Sequence, residues 1–98
     1  MYFRMHERNG HKVLAACDED LIGKVLEEKG AHLDLAKHAS FYKGERCTEN
    51  GLLSEIPHAS SINLVGKKAV AAGMKSGLFG EGEVKYINGI PHIQIYRI

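Results

Sequence analysis

The apolar and polar positions of the first eighteen residues follow a strand pattern on both sides of Asn9-Gly10. Asn-Gly between two strand-like runs is the strongest short-range signal for a two-residue hairpin turn. Such a turn places Arg8 opposite His11. The second arm contains Val13–Cys17, which is apolar on both faces, as in a strand that is covered on both sides. The sequence therefore predicts a β-hairpin whose second strand lies inside a sheet.

A second strand pattern surrounds Asn88-Gly89. The same turn chemistry predicts a hairpin in which Lys85 faces His92. Because successive side chains of a strand point to opposite faces, Lys85, His92 and Gln94 share one face of this hairpin. Pro91 cannot donate to a full ladder on its far side, which favours a place for the hairpin at the edge of a sheet.

Between the two hairpins, the periodicity predicts three helices and one short strand. Asp18 is a suitable N-cap for the first helix, and Gly30 is suited to end it. The longest helix is predicted over 59–76, because apolar residues there recur at the i, i+3, i+4, i+7 spacing. The other predicted segments are a strand over 31–36, a loop over 38–48 and a helix over 49–56, which must stop before Pro57.

These elements follow the order ββαβ–αα–ββ without an internal repeat. With 98 residues the chain fits one domain, which buries roughly 60–65% of its unfolded surface. The fold class is therefore α+β. We predict a single domain spanning 1–98, in which two Asn-Gly hairpins and one short strand form a mixed or antiparallel sheet packed by about three helices.

The net charge is +1, with acidic and basic residues interleaved along the chain. A general phosphate-backbone binder usually carries a clear basic excess, so this charge argues against non-specific DNA binding but leaves open the binding of a particular RNA. Cys17 and Cys47 form no CxxC pair, the first ten residues lack the apolar core of a signal peptide, and no apolar run reaches the ~18 residues that cross a bilayer. We expect a cytoplasmic protein with reduced thiols and no association with a membrane.

Asn63, Gly66 and Gly73 all disfavour a helix interior, yet they fall within the longest predicted helix. The two glycines are explained by close packing of this helix on the sheet. Asn63 and Lys67 lie on its more polar flank, where the Asn63 amide has either a capping role or contacts a ligand. Both residues are candidate binding residues.

The polar face of the last hairpin supplies further candidates. His92 has the side chain of a general acid, general base or metal ligand, with Gln94 on the same strand face and Lys85 across from it. No second catalytic group stands at a diagnostic spacing, so a half-buried structural histidine is the favoured interpretation. Asp18, at the predicted start of a helix, completes the set of candidates.

Other polar and aromatic residues are assigned structural roles. Cys17 is interpreted as a small buried residue, and none of the short ligand pairs of a zinc module is present, so neither a metal nor a cofactor is expected. Phe41-Tyr42, beside Lys43 in the predicted loop, could stack on a nucleic-acid base, but the favoured interpretation is a loop aromatic that packs under the domain.

Five segments of the chain resemble one family in the same order. They are C-D-E-D-L-I-G-K at 17–24, F-Y-K-G-E at 41–45, I-N-L-V-G-K-K-A-V at 62–70, G-L at 77–78 and N-G-I-P-H-I-Q-I at 88–95. The pattern is similar to the archaeal "domain of unknown function 424" family. The resemblance implies a small, stand-alone archaeal cytoplasmic protein with Asp18, Asn63, Gly66, His92 and Gln94 as candidate site residues, but it implies no activity.

The leading functional hypothesis is a non-enzymatic binding module of archaeal information processing with RNA or a ribonucleoprotein as its partner. It is based on the polar face of the last hairpin beside the flank that carries Asn63 and Lys67, and on the lack of an assembled catalytic set. The association of small archaeal proteins with translation and RNA processing adds little to it. The alternative is a small enzyme or ligand-binding protein with a pocket around His92, Asn63 and Gln94. A third possibility is a homodimer that forms through an edge strand.

Overall fold

Both Asn-Gly sequences form the predicted turns in the computed structural model, which describes residues 1–96. Asn9 and Gly10 have φ values of +52° and +79°, and Asn88 and Gly89 have +51° and +79°. Positive φ at both central positions defines the turn type that matches strand twist. The predicted registers follow, with Arg8 opposite His11.

The strands and helices divide into a main sheet, a separate hairpin and a helical layer. The strands are β1 Tyr2–Arg8, β2 His11–Cys17, β3 Val25–Glu28, β4 Ala31–Asp34, β5 Glu45–Arg46, β6 Ser61–Val65, β7 Lys85–Ile87 and β8 Ile90–Tyr96. The helices are α1 Ala39–Tyr42, α2 Glu49–Glu55 and α3 Lys67–Met74, with 3-10 turns at Glu19–Leu21, Ile56–His58 and Glu81–Glu83. The six-stranded sheet has the order β5-β1-β2-β6-β8-β7 and is mixed, because β2 and β6 run parallel.

The predicted long helix over 59–76 is wrong in its first half. Residues Ser61–Val65 form the central strand β6, and α3 begins only at Lys67 after Gly66. Four of the five residues of β6 are buried, so its sequence shows no clear alternation of apolar and polar positions. The apolar spacing of Ile62 and Val65 matched a helix by coincidence.

The predicted helix from Asp18 to Gly30 is also wrong. Only a short 3-10 turn follows Asp18, and the chain then forms the β3–β4 hairpin. Lys29 and Gly30 have φ values of +46° and +87°, so Gly30 belongs to a hairpin turn instead of a helix end. Strand β4 lies within the predicted strand over 31–36, but it pairs with β3 and takes no part in the main sheet.

The remaining predicted segments agree more closely with the structure. Helix α2 forms at the predicted place, with Thr48 as its N-cap, whose hydroxyl accepts a hydrogen bond from the Gly51 N–H at 3.1 Å. The predicted loop over 38–48 contains α1 and the two-residue strand β5. The last hairpin lies at a sheet edge as expected, although only β7 is outermost.

Pro91 has no N–H to donate, yet it lies inside the sheet, because the Gly66 carbonyl opposite it already has another donor. The Gly66 N–H donates to the Pro91 carbonyl at 2.8 Å, while the Gly66 carbonyl accepts from Val70 N–H inside α3 at 2.9 Å. Strand β6 therefore ends where a ladder bond from Pro91 would be required.

The two faces of the main sheet are covered differently. Helices α2 and α3 pack on the first face against Leu14, Ile62, Leu64 and other apolar residues. On the second face, apolar residues pack beneath the β3–β4 hairpin and α1. We call these five residues the covered half; they are Ala15, Cys17, Val65, Ile87 and Ile90. No helix within residues 1–96 has both the length and the apolar character to cross a membrane.

Candidate functional site

The part of the second face that lies beyond the covered half carries a continuous set of mostly polar side chains. In the ladder, Asn63 lies between Ala15 and Gln94, and Ser61 lies between Val13 and Tyr96, so these residues share one face. We call this surface the open face. Its strand residues are Arg4, His6, Arg8, His11, Val13, Ser61, Asn63, Lys85, His92, Gln94 and Tyr96.

The charged residues of the open face all have the same sign. Arg4, Arg8 and Lys85 lie on it together with three histidines. The acidic residues in the six strands are Glu7 and Glu45, and both occupy the alternate positions that face the other way. The sheet thus separates charges that are interleaved in the sequence, and a chain of net charge +1 presents a cationic surface.

Aromatic side chains lie at both sides of the open face. Phe41 of α1 stacks on His6 with 4.4 Å between the ring centroids and 11° between the planes. His6 Nε2 also donates to the Phe41 carbonyl at 2.8 Å, and an Arg4 guanidinium N–H donates to the Ser40 carbonyl at 2.7 Å. Tyr96, on β8, is 77% exposed. Phe41 is therefore fixed in place, whereas Tyr96 is free to contact a partner.

Asn63 lies at the centre of the open face with an unused acceptor. Asn63 is directly opposite Gln94 in the ladder. The two Cβ atoms of such a pair are about 4.5–5.5 Å apart. The Asn63 Oδ1 atom is buried and accepts no hydrogen bond from any residue in 1–96. Nearby, Ser61 Oγ and His11 Nε2 are hydrogen-bonded at 3.0 Å. The prediction that Asn63 lies on a helix flank with Lys67 is wrong, since Asn63 is on β6.

His92 and Lys85 lie opposite each other at the end of the open face. Partial burial, with a smaller contribution from the Lys85 charge, lowers the pKa of His92 below its ordinary 6.5. Within residues 1–96, no side chain forms a hydrogen bond with the His92 imidazole. The described residues thus place no hydrogen-bonded acid or base beside His92.

Asp18 and Lys67 lie away from the other four candidates, at the start of α3. Asp18 is buried, and its carboxylate accepts hydrogen bonds from the Lys68 and Ala69 N–H groups at 3.0 and 2.8 Å. It therefore caps α3 and not the helix predicted to follow it. Gly66 has a φ of +107°, and a Cβ at this position would collide with the Asp18 carboxyl group. Each Asp18 carboxylate oxygen thus accepts a hydrogen bond from the start of α3, which gives this residue a structural role.

The thiols and the metal-ligating side chains give no further site. Burial, with smaller effects of Asp18 and Asp20, raises the pKa of Cys17 to about 12, so this thiol is not an activated nucleophile. Cys17 and Cys47 are both free. In the described part of the chain, no three His, Cys, Asp or Glu residues are grouped so that they could hold a metal ion.

The comparisons with known proteins establish the family. Residues 6–98 match the model of a protein family described as "Protein of unknown function (DUF424)". The chain belongs to the DUF424 family. A solved structure with a TM-score of 0.85 and 30% sequence identity is that of an uncharacterized conserved protein from Methanopyrus kandleri; the match covers 99% of this chain and 90% of that one. None of the curated proteins is similar to this DUF424 chain.

The structure brings together four of the six predicted site residues: Asn63, Lys85, His92 and Gln94. It adds residues that the sequence analysis did not select. The sequence contained a signal for some of these residues. Every second position of β1 is basic or aromatic, and these positions share one face of the strand: Tyr2, Arg4, His6 and Arg8. Phe41 was assigned to packing alone, but only Tyr42 is fully buried, while Phe41 borders the open face.

Proposed function

We propose that the open face binds single-stranded RNA and that the protein acts in the cytoplasm as a non-enzymatic RNA-binding or ribonucleoprotein component. The observation that carries this proposal is the composition of the open face. It combines cationic and aromatic side chains with amides, and none of its strand positions holds a carboxylate.

Each group on the open face has a function in such binding. Arginine and lysine neutralise phosphates, whereas unpaired bases stack on aromatic rings and form hydrogen bonds with side-chain amides. Arg4 and Arg8 lie along β1, while Asn63, Gln94 and Tyr96 lie two and three strands away. The backbone of an RNA strand would thus contact β1, and its bases would lie over β6 and β8.

The proposal is supported indirectly by the architecture of the open face. A β-sheet that presents aromatic and polar side chains on one face is a common platform for unpaired RNA. Duplex RNA, in contrast, is recognised mostly by shape and by contacts to 2′-hydroxyl and phosphate groups, which would leave the aromatic and amide groups of the open face without bases to contact. We therefore expect a preference for single strands over duplexes.

The test is fluorescence anisotropy with a labelled, mixed-sequence 12-nucleotide RNA, as a single strand and as a duplex, at several salt concentrations. The test variant is Arg4→Gln/Arg8→Gln, and the control variant is Lys68→Gln/Lys75→Gln. Both remove two positive charges, but the control residues lie in α3 (Lys68) and at its C-cap (Lys75), and α3 packs on the other face of the sheet. The test variant should bind more weakly and lose about 0.7 in the salt slope for each phosphate contact removed.

Two results would contradict the proposal. The wild-type protein would show no binding to the single strand at micromolar concentration, or both double variants would weaken binding equally. The second result would mean that the RNA responds to net charge alone and not to the open face.

A second candidate function is homodimer formation through strand β8. Strand β7 pairs with β8 only as far as Lys85 opposite His92, so the outer edge of β8 from Ile93 to Tyr96 has no strand partner within residues 1–96. Such an edge can add a strand from a second molecule. Light scattering after size exclusion should then show a dimer whose fraction rises with concentration, and a monomer at high concentration would exclude it.

A further inference from the structure

A small cavity opens on the open face between its two aromatic groups. Phe41 borders it on the β1 side, where it stacks on His6, and Tyr96 borders it on the β8 side. Its floor includes Val13, Ser61, Asn63 and Gln94. The volume is about 170 Å³. A cavity of roughly 150 Å³ accepts one benzene ring, so this cavity has room for a single six-membered ring.

The polar groups of the cavity favour a ring that carries an N–H group. Asn63 Oδ1 is buried and has no donor in the described residues, although a buried acceptor without a donor is costly to the folded state. Ser61 Oγ is already hydrogen-bonded to His11. A ligand that enters the cavity and donates an N–H to Asn63 would remove this cost, and the amide of Asn63 or Gln94 could donate in return.

We propose that this cavity holds one unpaired pyrimidine base of the bound RNA strand, with an N–H of the base donating to Asn63 Oδ1. This proposal rests on the proposed function and specifies the bases that it recognises. Cytosine and uracil each place an N–H donor beside an acceptor on the edge that base pairing uses, which matches a side-chain amide. The single ring of a pyrimidine is closer in size to the ring that a cavity of this volume accepts than the two fused rings of a purine are.

The position of the cavity agrees with single-stranded binding. Phe41 and the 77% exposed Tyr96 offer ring surfaces on either side of the base, and stacking on aromatic rings is the usual way in which unpaired bases are held. The arginines of β1 lie beyond Phe41, where the phosphates next to the base would lie.

The test compares the affinities of the full chain for labelled U8, C8 and A8 RNA and for U8 in which every base is 3-methyluridine, which lacks the N3–H. We expect U8 and C8 to bind more tightly than A8, and the methylated U8 to bind roughly tenfold more weakly than U8. Asn63→Leu keeps a similar volume but has no amide, and it should reduce the affinity for U8 by roughly tenfold and for A8 much less. Asn50→Leu, at an exposed position of α2, is the matched control.

The outcomes separate this proposal from the proposed function. Equal affinities for all four RNAs, with Asn63→Leu unchanged, would overturn the pyrimidine site while leaving RNA binding in place. No binding to any of them would overturn both. If Asn63→Leu fails to fold, Tyr96→Ala provides the second variant, because its side chain is exposed; it too should lower the affinity for U8 more than for A8.

Discussion

The two parts of the second sheet face are built by the same strands but differ in chemistry. In the covered half, Val65 and Cys17 pack beneath the leucines of the β3–β4 hairpin segment. Two residues earlier on β6, Asn63 has a buried oxygen without a donor. The change occurs within single strands, so it cannot result from a different secondary structure. We infer that the covered half stabilises the fold and that the open face is available for binding.

The largest effect on stability is expected at the glycine where the covered half ends. Gly66→Ala places a Cβ against the Asp18 carboxyl group at a φ of +107°, so the substitution strains the backbone and displaces the cap of α3. Backbone strain and a lost cap together cost roughly 3 kcal/mol. Urea unfolding followed by circular dichroism measures this loss. Gly82→Ala, which adds a Cβ in open space, should change the stability little; equal effects would contradict the prediction.

Two valines on the second face test whether the covered half and the open face contribute differently to stability. Val65 is 2% exposed in the covered half, whereas Val13 is only partly buried on the open face. Val65→Ala removes two buried methyl groups and should lower the free energy of unfolding by about 2 kcal/mol. Val13→Ala should cost less than about 1 kcal/mol. Chemical denaturation of both variants measures the difference, and a similar cost at both sites would mean that the open face also contributes to the core.

Substitution of Asn63 should affect RNA binding and folding stability differently. A buried acceptor without a donor destabilises the folded state, and an apolar residue of similar size removes that cost. We therefore expect Asn63→Leu to change the free energy of unfolding by less than about 1 kcal/mol, in the stabilising direction, while it weakens RNA binding. Thermal unfolding, measured beside the anisotropy titration, tests this. A strongly destabilised variant would show that the amide has a structural partner.

The smallest expected effect is a dependence of stability on pH at His92. Its pKa is lowered in the folded state, first by burial and second by Lys85, so the unfolded state binds the proton more readily. Stability should therefore be full above pH 6.5, fall as the pH decreases through 6.5, and stop falling below the pKa of the folded state.

Two substitutions separate the causes of this dependence. His92→Gln should remove this part of the pH dependence, and Lys85→Gln should reduce it only in part, because burial remains. Urea unfolding at pH 7.5 and at pH 5 gives the slopes. If His92→Gln kept the wild-type slope, His92 would not be the group responsible.

The features that the sequence predicted correctly depend on local chemistry. Asn-Gly turns determine both hairpin registers, and therefore the face shared by Lys85, His92 and Gln94, because a two-residue turn leaves no alternative pairing. The helix predicted over 49–56 also forms through a local contact, because the Thr48 hydroxyl accepts a hydrogen bond from the Gly51 N–H three residues away. These relations involve neighbours in the chain.

The failures involve partners that are distant in the sequence. The capping role of Asp18 depends on α3, fifty residues later, so the sequence around Asp18 suggested a helix of its own. The open face exists because β6 lies between β2 and β8, and a parallel pair joined by a long connection has no local signal. Helical spacing in β6 then placed Asn63 on the wrong element.

The cap of α3 has a consequence for how the protein folds. An isolated helix of eight residues is marginal in water, and this one receives its capping carboxylate from the end of β2. A peptide covering 59–78 would lack both that carboxylate and the neighbouring strands, so it should remain without structure. We therefore expect α3 to become stable only when β6 pairs with β2. The parallel strand pair and the helix should form in one cooperative step.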